Sequence, residues 1–335
     1  MEQRWNGDKG QRIDRECETA ACQAGVFRNA MNSKRVILAG GSGFIGTALA
    51  HAFVERGYEV IVLSRQPKVR ADKIEEVAWD GRTAGAWAQW LDGATAVINL
   101  TGKNINCRHT PENLREITAS RVDAVNAIAQ ALGKIKAPPS VWVQASAIGF
   151  YGDAGDRVCD ETAPGGNDVL ARVCREWEGA FDAVKTPGTR RVVMRIGFVL
   201  GREGGGFPML AGLTRKFLGG AAGNGRQYVS WVHLADLVRM FVAAVEQNAL
   251  NGTFNVVAPN PVTNSDFMKE LRGALHRPWS PPVPVFAIKM GASLMGTEAS
   301  LILASQRCVP RFFLDSGFKF EFPEARRAFA DLCSR

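Results

Sequence analysis

The segment from Lys34 to Gly46, KRVILAGGSGFIG, constrains the fold more than any other stretch of this chain. Val36, Ile37, Leu38 and Ala39 read as a short apolar strand. It runs into Gly40, Gly43 and Gly46, spaced three apart, and then into a helix read over 44–56 that Gly57 closes. A strand, a glycine turn and a helix in direct succession set backbone N–H groups and the positive end of the helix against an anion such as a pyrophosphate. Glycine suits the turn because a Cβ would obstruct both the bend and the close approach. An ordinary strand-to-helix turn has no need of three spaced glycines. Gly40, Gly43, Phe44, Ile45 and Gly46 are therefore the first candidates for holding a dinucleotide.

The next strand, Glu59 to Leu63, ends in Ser64-Arg65. A site that prefers NAD(H) places an acid at about this distance from the glycine turn, where it binds the ribose 2′-hydroxyl. Arg65 stands there instead, followed by Lys68 and Arg70, and a guanidinium at this position pairs with a 2′-phosphate. The pattern favours NADP(H) over NAD(H), against the plainer reading of a solvated basic loop. Ser64 and Arg65 join the cofactor candidates, as do Leu100, Thr101 and Gly102 at the end of the fourth expected strand.

From residue 35 onward, strand and helix patterns alternate. Strands are expected at 35–39, 59–63, 74–79, 95–100, 140–145 and 191–196, and helices at 44–56, 111–133 and 168–185. The second helix opens on Thr110-Pro111-Glu112, an N-cap with proline at the first helical position. The order implies an α/β fold with a doubly wound, mostly parallel sheet that binds ligands at the carboxyl ends of its strands. After residue 200 the regularity weakens into a glycine-rich run. A strand near 228–232, a helix at 234–246 and a strand at 252–257 are expected to return to the sheet. The expected domains are a leader at 1–33, a dinucleotide-binding domain at 34–257 and a smaller substrate or cap lobe at 258–335. That lobe would hold helices near 264–275 and 285–295. Residues 1–30 carry five basic and five acidic residues without clear periodicity, and Met31 directly precedes the first strand. A disordered leader, or a natural start at Met31, fits that composition.

The 335 residues are 46% apolar, enough for a substantial core. No stretch has the apolar length of a membrane span. Seven scattered cysteines without a Cys-x-x-Cys pair, and four histidines that do not cluster with them, suggest reduced thiols in the cytoplasm and no metal. The net charge of +8 raises nucleic acid as a partner, but the basic residues are spread out rather than gathered in a run. The expected partner is a small-molecule substrate, with neither nucleic acid nor membrane, and a homodimer is the assembly left open.

Further pieces fall in a recognisable order. Asn99-Leu100-Thr101-Gly102 ends the fourth strand. Ala145-Ser146-Ala147-Ile148-Gly149-Phe150-Tyr151-Gly152 follows the fifth, and Arg195-Ile196-Gly197-Phe198-Val199-Leu200-Gly201 ends the sixth. Gly223-Asn224-Gly225-Arg226-Gln227 then leads to Trp231-Val232-His233-Leu234-Ala235-Asp236. With the glycine turn and Val173-Cys174-Arg175-Glu176-Trp177-Glu178, this set resembles the extended, atypical short-chain dehydrogenase/reductases. More narrowly, it resembles their NAD-dependent epimerase/dehydratase branch with an extra small C-terminal domain. The resemblance spans residues 34 to about 330. It implies a Rossmann-type sheet and an NADP(H)-dependent oxidoreductase or epimerase acting on a carbonyl or sugar-like small molecule.

The chain departs from that pattern where the chemistry should lie. The superfamily uses Tyr-x-x-x-Lys, in which the lysine lowers the tyrosine pKa and holds the ribose. The three tyrosines here, Tyr58, Tyr151 and Tyr228, are followed four residues on by Val62, Gly155 and Val232. Cys174 lies close to the expected lysine, Arg121 replaces the helix asparagine, and Ser146 falls one residue early, with Ala147 in the usual serine place. The candidate catalytic residues are therefore Ser146, Tyr151 and Arg121. Ser146 is read as a donor to substrate or nicotinamide, against a serine satisfied by backbone. Tyr151 is read as acid/base, against packing over the strand end. Arg121 is read as facing a ligand, against a salt bridge to an acid such as Asp160. Asp160-Glu161 itself reads as a solvated loop, and His233 and Asp236 as helix-capping residues. The Arg-Asp that nucleotide-sugar enzymes carry is Val229-Ser230 here, which weakens that substrate class, although Arg226, Arg215 or Lys216 could stand in. The missing dyad motivates a rival reading, a non-catalytic NADP(H)-binding sensor or interaction protein.

Overall fold

The computed structural model describes residues 34–72 and 74–334; the expected leader at 1–33 lies outside them. Seven parallel strands form the central sheet: β1 (Arg35–Ala39), β2 (Glu59–Ser64), β3 (Ile74–Ala78), β4 (Ala96–Asn99), β5 (Val141–Ala147), β6 (Arg190–Ile196) and β7 (Gly252–Val256). Their order across the sheet is β7-β6-β5-β4-β1-β2-β3. The chain thus winds outward from β1 in both directions, and the order reverses between β1 and β4. The six strands expected up to residue 196 are all present, as is the one expected at 252–257, at the far edge.

Alternate strand residues feed two cores, because successive side chains point to opposite faces. On one face, Val36, Leu38, Val60, Val62, Ile98 and Val143 pack against helices α1 (Phe44–Glu55) and α5 (Leu234–Glu246). On the other, Ile37, Ile61, Leu63, Val97, Trp142 and Val193 pack against α2 (Pro111–Leu132) and α3 (Val169–Asp182). Both faces are covered, which explains why the strands read as continuous apolar runs rather than as an alternating pattern. Helix α2 begins where its sequence indicates, with the Thr110 side chain accepting from the Asn113 N–H.

The region after residue 200 differs from expectation. The strand expected near 228–232 is split at Ser230 and does not join the sheet. Tyr228–Val229 pairs antiparallel with Val262–Thr263, and Trp231–His233 pairs with Phe198–Leu200. The glycine-rich run contains an unforeseen helix, α4 (Phe207–Arg215), and the chain ends in another at Ala325–Cys333. These elements share a third core around Phe207, Trp231, Phe267 and Phe329. The late segment also returns to the sheet, where Phe313 packs on Phe254 of β7 with ring centroids 5.1 Å apart. No described helix is long and apolar enough to cross a membrane.

Candidate active site

Register sets the site. Ala39 stands opposite Leu63 on one side and Asn99 on the other. The glycine turn, Ser64-Arg65 and Leu100-Thr101-Gly102 therefore leave the sheet at one level, at the strand-order reversal where such sheets bind ligands. Gly40 adopts φ +73°, and a Cβ there would lie 3.0 Å from the Thr101 backbone. A Cβ on Gly46 would lie 2.4–2.6 Å from the backbone of Gly41, so this glycine is what lets the helix close on the turn. Gly43 is different: the nearest atom to its Cβ position is 3.9 Å away, which leaves open space in front of it. It caps α1 without a side-chain hydrogen bond, and the first turn carries no acid. The first N–H groups of α1, those of Phe44 and Ile45 among them, have no intrahelical partner, so the positive end of the helix dipole is uncompensated.

Two observations fit a dinucleotide at this turn. The buried Thr101 hydroxyl oxygen, 3.1 Å from the Gly40 Cβ position, has no hydrogen-bond partner among the described residues; buried polar groups normally have one. Arg65 is exposed at the end of β2 and joins none of the ion pairs among the described residues, whereas Arg70 is bound to Asp72 and Glu76. Ser64 is buried, and its hydroxyl accepts from the Gln66 N–H at 3.3 Å, which shapes the turn that presents Arg65.

The candidate catalytic residues do not converge as expected. In-register pairing places Ser146, Arg195 and Asn255 in one row across β5, β6 and β7. The Ser146 hydroxyl donates to Glu178 Oε1 of α3 at 2.5 Å. Arg195 donates to both oxygens of the same carboxylate, Nε at 2.9 Å and Nη2 at 2.7 Å, and through Nη1 to the Tyr151 hydroxyl at 2.9 Å. That hydroxyl also lies 2.8 Å from Asn255 Oδ1 and 2.9 Å from the Asp160 carbonyl. Tyr151 is fully buried, and burial pushes its pKa well above the usual phenol value. This corrects two expectations. Tyr151 is a packed interior residue rather than an acid/base at the reacting centre, and Ser146 is satisfied by a carboxylate rather than offered to a ligand. The row is set by strand register and so could not be read along the chain; Arg195 and Glu178 were missed because their partners lie 17 to 44 residues away.

Arg121 takes a different position. Its Nη1 donates to the carbonyls of Lys103 at 3.0 Å and Ile117 at 2.9 Å, and its Cζ lies 4.9 Å from the centroid of the Trp177 ring. A Cβ on Gly102 would come within 2.9 Å of that Cζ, so Gly102 makes room for the guanidinium. Arg121 has no carboxylate partner among the described residues, and burial pushes its pKa down. The salt bridge to Asp160 does not form, because Asp160 pairs with Arg311 at 3.1 Å. Glu161, expected in a solvated loop, is buried. Its carboxylate accepts from the Asn255 N–H at 3.1 Å, and burial pushes its pKa up.

Leu170 and Cys174 of α3, four residues apart, face the turn after β5. Cys174 Sγ lies 3.6 Å and Leu170 Cβ 3.8 Å from the Gly149 Cβ position. Burial pushes the Cys174 thiol up to about 12, which keeps it protonated and unreactive. His233 caps α5 as the sequence indicates, whereas Asp236, also expected to cap, holds a distant segment instead. His233 Nδ1 accepts from the Ala235 N–H, and Asp236 accepts the N–H groups of Glu321 and Phe322 at 2.9 and 2.8 Å.

A doubly wound parallel sheet with a glycine turn and an uncapped helix at its switch point is the fold of the extended short-chain dehydrogenase/reductases. Residues 36–257 match the model of the NAD dependent epimerase/dehydratase family, and residues 283–332 match a domain of unknown function, DUF1731. The chain belongs to the NAD-dependent epimerase/dehydratase family. It is 36% identical to the mouse epimerase family protein SDR39U1 over 305 residues, covering 89% of this chain and 99% of the relative. A chloroplastic SDR39U1 homologue of Arabidopsis thaliana is likewise 36% identical, over 88% of this chain and 85% of its own length. Human SDR39U1, solved with NADPH, superposes with a TM-score of 0.80 at 32% identity, covering 89% of this chain and 99% of that one.

Proposed function

We propose that this protein is an NADP(H)-dependent oxidoreductase or epimerase acting on a small carbonyl or sugar-like molecule. The observation that supports it most is the glycine turn at the ends of β1 and β4. There the nearest atom to the Gly43 Cβ position is 3.9 Å away, α1 has no side-chain cap, and the buried Thr101 hydroxyl has no hydrogen-bond partner among the described residues. Gly40, Gly43, Phe44, Ile45 and Gly46 would hold the pyrophosphate, and Leu100, Thr101 and Gly102 the ribose on the nicotinamide side. Arg65, with Ser64 shaping its turn, would pair with a 2′-phosphate. A bound reduced nicotinamide would supply hydride chemistry at the carbonyl carbon, with water as the source of the proton that the carbonyl oxygen takes up. The chain's own part is to orient the reactants between the Gly102–Arg121 and Gly149–Cys174 walls.

Titrating the protein with NADPH and NADH, followed by nicotinamide fluorescence, tests the reading. A charge-assisted hydrogen bond is worth about 1.5–3 kcal/mol, so Arg65→Ala is expected to weaken NADPH binding about 10- to 150-fold and leave NADH nearly unchanged. Equal affinity of the wild type for both cofactors overturns the assignment of Arg65, and binding of neither overturns the function.

A second reading, a nucleotide-dependent sensor, is favoured by one observation: Ser146 and Tyr151 are both engaged inside the protein. Oxidation of bound NADPH by any member of a carbonyl panel counts against it.

A further inference from the structure

Arg121 sits in the middle of α2 with no opposite charge to meet it. Nη1 serves two carbonyls, whereas Nε and Nη2 make no hydrogen bond to the described residues. The guanidinium occupies a slot between the Trp177 ring and Gly102, and the residue keeps partial access to solvent. An uncompensated cation in such surroundings is costly. Lys103 does not share its situation, since its ammonium is held by Asn113 and Glu116.

Strand order indicates whose charge the slot awaits. Arg121 lies against the loop after β4 and against α3, beside the turn after β5. The phosphate-binding features lie elsewhere: the start of α1 follows β1, and Arg65 follows β2, on the far side of β1 from β4. In the proposed cofactor reading they meet every anionic group of the cofactor. A nicotinamide on the β4–β5 side would be neutral when reduced and cationic when oxidised, and so would supply no anion to Arg121. We infer that Arg121 anchors an anionic group of the substrate, a carboxylate or a phosphate, so that the substrate is an anionic carbonyl compound. Nε and Nη2 lie side by side in a planar fork, a geometry that suits two-pronged capture of such a group. This assignment rests on the cofactor reading above.

The test is calorimetric titration of the NADPH-loaded full chain with benzoate, phenyl phosphate and the neutral benzamide. At least one anion is expected to bind about tenfold or more tightly than benzamide, the gain of one charge-assisted pair; which anion does so identifies the group. Arg121→Met is expected to abolish that difference and leave the affinity for NADPH within about twofold. Arg121→Lys is expected to keep part of the preference, which separates loss of charge from loss of fold. Equal binding of all three probes, or binding of none, overturns the inference. So does a tenfold loss of NADPH affinity in Arg121→Met, which would assign the cation to the cofactor. A wild-type chain that does not bind NADPH refutes the cofactor reading itself, and with it this one.

Discussion

Removing the Glu178 carboxylate tests the account of the interior network. Glu178 and Arg195 have side-chain exposures of 10% and 7%, so solvent screens the pair little. Glu178→Ala removes two of the three hydrogen-bonding partners of the guanidinium and leaves it only the Tyr151 hydroxyl. It also strips the Ser146 hydroxyl of its acceptor. Breaking a buried pair by deleting one partner costs about 3–5 kcal/mol, and a buried hydroxyl without a partner adds about 1–3 kcal/mol. Against a total stability of about 5–15 kcal/mol, the variant is expected to be severely destabilised. Arg195→Met is expected to cost a similar amount, because it leaves the carboxylate buried. The double variant Glu178→Ala/Arg195→Met removes both charges and is expected to be more stable than the two single losses sum to, by about 1–3 kcal/mol. Urea unfolding of the four proteins closes the cycle. A cost below about 1 kcal/mol for Glu178→Ala, or additivity within about 0.5 kcal/mol, would refute the reasoning.

Two glycines three residues apart, Gly43 and Gly46, should respond in opposite ways. The Cβ of Gly46→Ala meets Gly41 backbone at 2.4 Å and is expected to cost about 1–3 kcal/mol in thermal or urea unfolding. Gly43→Ala has room in the protein and is expected to leave stability nearly unchanged while weakening NADPH binding, because its methyl fills the approach to the cofactor. Comparable melting of the two variants would contradict that division. His233, buried against Phe322 with ring centroids 3.9 Å apart, has its pKa held below 6.5, first by burial, with Asp331 and Asp236 opposing. The unfolded chain therefore takes up a proton that the folded chain refuses. Stability at this residue is full above the unfolded value and is lost as pH falls from about 6.5 toward the depressed folded value. Urea midpoints of wild type and His233→Gln, compared between pH 7.5 and 5.5, should converge on acidification; parallel curves would show that the imidazole does not contribute.

Local pattern was enough for the fold of the first half of the molecule. The glycine turn, the strand before it and Arg65 lie within a few tens of residues, and their geometry follows from a short strand, a tight turn and a helix start. The six strands up to residue 196 could likewise be read, because strands buried on both faces are continuous apolar runs separated by turns. The glycine-rich run was harder. Its glycines suggested loop but conceal α4, and several of them, such as Gly201 and Gly204, make room for the ring of Phe44. Nothing along the chain indicates that use.

What the sequence by itself determined is the winding of the sheet, the glycine turn at its switch point and the absence of a Tyr-x-x-x-Lys pair. Only the tertiary structure decided what stands in place of that pair. The register of β5, β6 and β7 draws Ser146 and, beside it, Tyr151 into the Glu178–Arg195 network, while Arg121 is left without a carboxylate partner among the described residues. The physical reason is that a hydroxyl or a guanidinium is defined by what it meets. Those meetings depend on strand register and helix packing across tens of residues, which no local pattern carries.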